Sequence, residues 1–274
     1  MNQFLLRRLL LVAMLFSGLC CVVPAQAESN LTITPHLLHF DYREFDDGGG
    51  QLLKETGFIP GVDVNFGVDL TNRIQLDVNY QFSIGEIDYD GQTQAGDPHK
   101  TDTQMSLKTL GAELSYSLQD AESSVRLFGR LDAKIWDRDI QSTATVQGIS
   151  EIYSWRQFGV GVLVPLQMTA FAQSNIQFQV FRTINPVMEA DLRFIAGGTP
   201  EFDLDEKTGW QIETEMFNAY QNKRSLGFSF IYRTWKFGRS DNQTVNTSVG
   251  TGEFFEPDSE TSIYLLQFVM RMKL

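Results

Sequence analysis

The sequence predicts an all-β chain: a closed, antiparallel, up-and-down transmembrane β-barrel of about ten strands. Three observations predict it. First, the chain ends on a strand that alternates to its last residue. Tyr264, Leu266, Phe268, Met270, Met272 and Leu274 share one face, while Gln267, Arg271 and Lys273, with Leu265 and Val269, share the other. A last strand without a polar tail suits a sheet that pairs its final strand with its first. Second, the two-residue period recurs along most of the chain. Third, the chain opens on an export signal, and no later stretch is apolar for long enough to make a membrane helix.

The signal comes first. Arg7 and Arg8 supply the positive region, Leu9 to Val23 is an almost unbroken apolar run, and Ala25-Gln26-Ala27 fits a small-x-small cleavage pattern. Residues 1–27 are therefore expected to be removed, leaving 28–274 as one barrel domain. A retained anchor is the alternative, but the apolar stretch is short for a span. Cys20 and Cys21 both fall inside the signal, and neither follows the small residue that a lipoprotein site wants. The mature chain then has no disulfide, thiolate metal site or cysteine nucleophile. Of 274 residues, 247 remain; 20 Lys and Arg against 34 Asp and Glu give a charge of −14. Such acidity excludes nucleic acid as an expected partner. Strands that are only half apolar explain a membrane chain with 42% hydrophobic residues and a mean hydropathy of −0.17.

The strands follow in order. Phe58, Val62, Val64, Phe66 and Val68 alternate with Gly61, Asp63, Asn65, Gly67 and Asp69. Ile74, Leu76, Val78, Tyr80, Phe82 and Ile84 oppose Gln75, Asp77, Asn79, Gln81 and Ser83. Leu110, Ala112, Leu114, Tyr116 and Leu118 oppose Gly111, Glu113, Ser115 and Ser117. Val125, Leu127, Leu131, Ala133 and Ile135 oppose Arg126, Arg130, Asp132, Lys134 and Trp136. Leu226, Phe228, Phe230 and Tyr232 oppose Gly227, Ser229 and Arg233. Long polar loops are expected near 45–57, 90–102, 137–150, 191–209 and 240–259, and short turns near 70–72, 119–122, 168–174 and 218–223. The strands between them are 31–43, 58–69, 73–89, 103–118, 124–138, 149–164, 175–189, 209–217, 225–238 and 261–274. The first is interrupted by Pro35, the seventh carries Arg182 and Pro186, and the eighth is short, so roughly eight or twelve strands stay open. An even count places both termini with the short turns, on the periplasmic side. A soluble sandwich is disfavoured by the strand lengths. Aromatics near strand ends (Tyr80, Phe82, Tyr89, Tyr116, Trp210, Tyr232 and Tyr264) suit interfacial girdles.

If the barrel closes, the face opposite the lipid is charged. Asp63, Asp77, Glu113, Asp132, Glu151, Glu213 and Glu215 point inward with Arg126, Arg130, Lys134, Arg233, Arg271 and Lys273. Ten strands enclose little more than side chains can fill, so a salt-bridged plug is expected; a narrow polar path for ions or small solutes is the alternative. The outer loops are acidic, the last of them carrying Glu253, Glu256 and Asp258. Asp46, Asp47, Asp203 and Asp205 are the candidate ligands for divalent cations, against plain solvation, since no segment has a calcium-loop spacing. Trp136, Tyr153 and Trp155 are expected at the rim flanking the third loop, beside Arg138 and Arg156, facing each other across a hairpin where cation–π pairs would stabilise it.

Catalysis would need a set at the rim. Asp88-Tyr89-Asp90 resembles the paired aspartates of the omptin proteases, with His99 as the nearby base. The omptins add an aspartate–histidine pair from a later strand, whereas the histidines here are His36, His39 and His99. Lipid-A-modifying barrels join a histidine to a serine, and no motif selects a serine for His36 or His39.

The cleavage site, the alternating strands and the terminal strand Phe268 to Leu274 together resemble the small outer-membrane β-barrel proteins of Gram-negative bacteria. In that family the last residue is usually aromatic and is read by the barrel-insertion machinery; here it is Leu274. The resemblance implies a cell outer-membrane location, contact with outer-membrane lipid and lipopolysaccharide, and no cofactor. The expected role is a non-enzymatic surface, structural or binding protein, with a porin-like channel as the alternative and a rim hydrolase after it.

Overall fold

The computed structural model describes residues 28–274 apart from 94–95, 121–123, 168–171, 196, 219–222 and 249. The expected signal lies outside the described residues, as do parts of three expected turns. The strands are β1 (Ser29–Phe45), β2 (Gln51–Asp69), β3 (Ile74–Gln92), β4 (Pro98–Ser117), β5 (Arg126–Ile140), β6 (Ile149–Gln167), β7 (Ala172–Ala190), β8 (Glu201–Asp203), β9 (Thr208–Asn218), β10 (Arg224–Phe237), β11 (Gln243–Thr247), β12 (Gly250–Phe254) and β13 (Asp258–Lys273). Ten of them make one closed antiparallel barrel, with β8 as a short patch and β11–β12 as a separate hairpin.

Closure rests on two seams. β1 pairs with β2 on one side and with β13 on the other, from Asn30↔Lys273 to Phe45↔Asp258. β6 pairs with β5 and β7. Each of the ten strands has a hydrogen-bonded neighbour on both sides, which is what a sheet in hydrocarbon requires. Pro35 does not break β1: it pairs with Val62 of β2, while the β1–β13 ladder makes no pairing at Thr34 and Pro35. Leu274 N donates to Ser29 O at 2.9 Å, so both described ends sit together beside the short turns.

The strands are longer than the sequence predicts. β2 and β3 have 19 residues each and β4 has 20, against about 9–11 for a tilted crossing. The first two expected loops shrink to residues 46–50 and 93–97. The polar stretches 51–57 and 86–92 are strand, joined by pairs such as Lys54↔Asp90. Their outward residues are mostly polar (Lys54, Thr56, Glu86, Asp88 and Asp90), which suits a part of the sheet that stands in water. The fourth connection also departs from a plain loop. β9 starts low, and above it β8 pairs with the end of β7 while Asp205 bridges to Gly238.

A change of polarity divides the wall. In the lower part of β1 the outward residues are Leu31, Ile33, Pro35 and Leu37, with Thr32, Thr34 and His36 inside. Above that level Leu38, Phe40 and Tyr42 are buried inside, and His39, Asp41 and Arg43 face out. β5 inverts between Ile135 and Trp136, and β10 between Arg233 and Trp235. Below the inversion Leu131, Phe158, Phe228 and Leu266 are 51–62% exposed on the outside. At the inversion rings meet across strands: Trp210–Tyr232 at 5.0 Å, Tyr232–Tyr264 at 4.8 Å, His39–Tyr264 at 5.9 Å and His39–Phe58 at 4.7 Å. Of the aromatics expected as a girdle, Trp210, Tyr232 and Tyr264 meet here, joined by His39 and Phe58, and one expectation is corrected. Tyr89 lies above this group, buried on the inner face, because the chain alternates through Asp88 and Asp90.

An outward charge distinguishes lipid from water around the lower band. Phe228→Arg, on a face that would tolerate arginine in water, is expected to cost about 2–4 kcal/mol in a bilayer. Urea titration of the barrel refolded into lipid vesicles measures it.

Candidate functional site

The inner surface has three tiers. The lowest is a polar vestibule of about 760 Å³ at the end carrying the short turns. Asp63, Asp77, Glu113, Arg126, Arg130, Glu213, Glu215, Arg233 and Arg271 all line it, as the alternation predicts. Arg271 donates to both oxygens of Glu215 at 2.7 and 2.6 Å. Arg126 Nη1 donates to Gln75 Oε1 at 2.6 Å, and Arg233 Nε to Gln211 Oε1 at 2.6 Å. Arg130 donates to Asp132 at 2.8 Å and to Asn79 at 2.7 Å, and lies 3.7 Å from Glu113. Asn79 in turn donates to Asp63, and Asn65 to Asp77, each at 3.0 Å. Asp132 and Lys134 are buried in the roof, where Lys134 Nζ donates to Thr109 Oγ1 at 3.2 Å.

His36 belongs to the same roof. Its Nε2 lies 2.8 Å from Ser83 Oγ, with both side chains buried. Gly61, across from His36 on β2, leaves room for this pair, since a Cβ there would collide with both side chains. The pair unites a histidine with a serine, but Ser83 is fully enclosed, so no substrate reaches its hydroxyl.

The middle tier is a dry aromatic plug. Leu38, Phe40, Ile59, Trp136, Tyr153, Phe181, Phe237 and Leu265 are each no more than 2% exposed. Trp136 stacks on Tyr153 at 4.6 Å and meets Phe40 at 5.3 Å. Tyr42 is edge-on to Trp136 at 4.9 Å, and Trp155 is edge-on to Phe237 at 5.2 Å. Burying one such side chain stabilises by roughly 1.5–3 kcal/mol. The sequence predicts Trp136, Tyr153 and Trp155 at the rim, grouped with Arg138 and Arg156. They instead fill the lumen, and Arg156 faces the opposite way, exposed outside.

The top tier is a buried charge cluster around Arg138 of β5. Arg138 Nε donates to both oxygens of Glu55 at 3.0 Å, and Nη1 to Glu44 at 3.2 Å and Glu151 at 2.5 Å. Thr103 adds a hydroxyl to Glu55 at 2.6 Å. Glu256, on the connection between β12 and β13, completes the set through Tyr153, whose hydroxyl donates to it at 2.5 Å. Burial, with Glu44 and Glu151 close by, pushes the Glu256 carboxyl well above the usual carboxylate range. Asp191, just past β7, goes the other way: the Arg193 hydrogen bonds hold it down to about 2. The sequence pattern gives no prominence to Glu44, Glu55 or Tyr42, and marks Glu256 only as one acid of the last loop. The signal for Arg138 was present, because it continues the inward phase of Asp132, Lys134 and Trp136.

The remaining candidates are kept apart. Asp88 and Asp90 face outward and are exposed, and Asp90 pairs with Lys100 at 2.6 Å. His99 faces inward, buried, with its ring 5.8 Å from Tyr89. The two aspartates and His99 therefore lie on opposite faces of the sheet. Asp46 accepts from Gly48 N and Gly50 N at 2.9 and 2.7 Å in the β1–β2 turn. Asp47 lies 3.4 Å from Arg239, and Asp205 3.8 Å from Lys207. Asp203 sits on β8. Among the described residues no three acidic or histidine side chains gather as a metal site.

Removing the one guanidinium from the top tier strands its carboxylates. Arg138→Met is expected to cost about 3–5 kcal/mol, read by urea unfolding from detergent micelles. Arg271→Met, on a partly exposed pair, is expected to cost less.

No family model and no curated protein sequence matches the chain. Among solved structures it is similar to the outer membrane protease OmpT from Escherichia coli, at 7% identity and a TM-score of 0.60 over 92% of this chain and 97% of that one. It also aligns with the outer membrane protein OprG from Pseudomonas aeruginosa (9% identity, TM-score 0.37, 90% and 96% covered). A third is an outer membrane channel from Pseudomonas putida F1 (13%, 0.39, 90% and 97%). At such identities the likeness is one of architecture: the chain has the fold of the outer-membrane β-barrel proteins.

Proposed function

We propose that the chain is an integral outer-membrane barrel whose lumen does not conduct, and that it acts as an anchored surface or binding protein through its outer end. The filled middle tier carries this reading. Trp136, Tyr153, Phe237 and Phe40, each no more than 1% exposed, fill the lumen between the vestibule and the outer end. Side chains of a barrel this narrow suffice to close it. The alternative of a narrow channel finds support only in the vestibule, which ends at the polar roof.

The outer surface supports the rest. Apolar rows suit lipid, and the charged pairs just above the girdle suit a headgroup layer of lipopolysaccharide and divalent ions. These pairs include Lys54 with Asp41 at 3.2 Å, Lys108 with Asp137 at 2.6 Å and Lys236 with Glu260 at 3.0 Å. The terminal strand, paired with β1 to its end, suits delivery by the barrel-insertion machinery with both ends on the periplasmic side. A rim hydrolase of the omptin kind is disfavoured by the separation of Asp88 and Asp90 from His99.

Planar-bilayer recording tests the reading. Purified barrel is expected to give no discrete conductance steps above the lipid baseline. Steps that vanish on heat unfolding would overturn it. So would a peptidase or lipid-A hydrolase activity that Asp88→Ala or Asp90→Ala abolishes in a folded barrel.

A further inference from the structure

The top tier holds more negative charge than its one cation can match. Glu44, Glu55, Glu151 and Glu256 surround Arg138, and all five are buried. Fully ionised, the group would carry three uncompensated charges away from water, which a protein interior avoids by retaining protons. Three of the four acids bond directly to Arg138. Glu256 does not; its carboxyl bonds are with Tyr153 at 2.5 Å and Tyr42 at 3.4 Å. Those two hydroxyls also serve Glu151 at 3.3 Å and Glu44 at 2.9 Å, so the fourth acid shares donors with two others.

Glu256 is also the acid that lies outside the barrel wall. It stands on the connection 238–257, which holds the β11–β12 hairpin. Its backbone N–H joins no strand ladder; it donates to Ser240 Oγ at 2.8 Å, while Ser240 N donates to Glu256 O at 3.0 Å. The two ends of the connection are thus tied together, and the Glu256 side chain ties both to the barrel.

We propose that this connection is a pH-sensitive latch over the outer end of the barrel, seated while Glu256 is neutral and released when Glu256 ionises. The groups around Glu256 are Tyr42 and Glu44 from β1, Arg138 from β5, and Glu151 and Tyr153 from β6, with Glu55 of β2 on the far side of Arg138. The connection itself also carries Arg239, 3.4 Å from Asp47 of the β1–β2 turn, and its hairpin meets the β7–β9 connection, where Gln243 donates to Glu201 O and Ser248 N to Ile195 O at 2.7 Å. From β10 and β13 the inward neighbours are uncharged: Trp235, Phe237, Ser259 and Thr261. Arg138 is the cation around Glu256, already engaged by three carboxylates. The sign follows from linkage. The seated carboxyl titrates above the free one, so seating is strongest below the ordinary carboxylate value of 4.5. It weakens as pH rises from there toward the raised value, where Glu256 ionises in place. Within that window the open population grows by up to about tenfold per pH unit.

Hydrogen exchange of the folded, full barrel in detergent micelles tests the latch, whether or not the lumen conducts. Backbone amides of 243–254 are followed by mass spectrometry from pH 5 to pH 9 and corrected for the intrinsic pH dependence of exchange. The expected result is protection that falls with pH for the hairpin and stays constant for β5 and β6. Glu256→Gln, which keeps a neutral side chain of the same shape, is expected to hold protection constant across the range. Protection of the wild-type hairpin that does not change with pH would overturn the latch, whatever the variant does. A Glu256→Gln barrel that keeps the wild-type pH dependence would overturn it as well.

Discussion

A side chain that avoids water can face outward only where the surroundings are lipid, and inward only where the lumen is dry. The rest of the structure depends on this constraint. Each long strand obeys it twice. In the lower band Leu226, Phe228 and Phe230 face out and Ser225, Gly227 and Ser229 face in; farther along the same strand, Trp235 and Phe237 face in and Lys236 faces out. The exchange falls at one level around the barrel, marked by the ring of Trp210, Tyr232, Tyr264, His39 and Phe58. Below it the molecule is a membrane-type barrel with a polar interior. Above it the same sheet becomes a water-facing barrel around an apolar core.

Closure makes this arrangement available. Because β1 and β13 pair along nearly their whole lengths, the strands can run past the lipid without exposing an edge. A barrel of ten strands is narrow enough for aromatic side chains to meet across the lumen, as Trp136 of β5 meets Tyr42 of β1, while Tyr153 of the neighbouring β6 stacks beside it. The plug then sets the electrostatics above it. Arg138 and its carboxylates lie between the plug and the outer connections, in a layer that water does not reach, so their charges must be matched within the protein.

The lower half was legible in the sequence because its two faces differ in chemistry. Asp63, Asp77, Glu113, Arg126 and Arg271 alternate with Val62, Val78, Leu114, Leu127 and Met270, and one phase accounts for all of them. The same contrast indicated ten strands and the two-sided closure. The upper half was harder to read because its polarity is reversed. Residues 51–57 and 90–92 look like loop by composition, although Glu55 alternates correctly as an inward residue. Asp88 and Asp90 drew attention as a catalytic pair, yet strand phase alone puts them on the face away from His99. Glu256 could not be foreseen at the Arg138 cluster, since its place depends on a connection folding back over the barrel.

Tryptophan quenching tests the polarity reversal most directly. Single-tryptophan barrels that retain Trp210 or Trp136 would be reconstituted in vesicles and exposed to brominated lipid and to aqueous iodide. Brominated lipid is expected to quench Trp210, which is 40% exposed on the outer wall, and iodide to leave Trp136 as bright as a fully enclosed indole. Trp136 quenched by iodide as strongly as in the unfolded chain, or Trp210 untouched by the lipid quencher, would contradict the reversal.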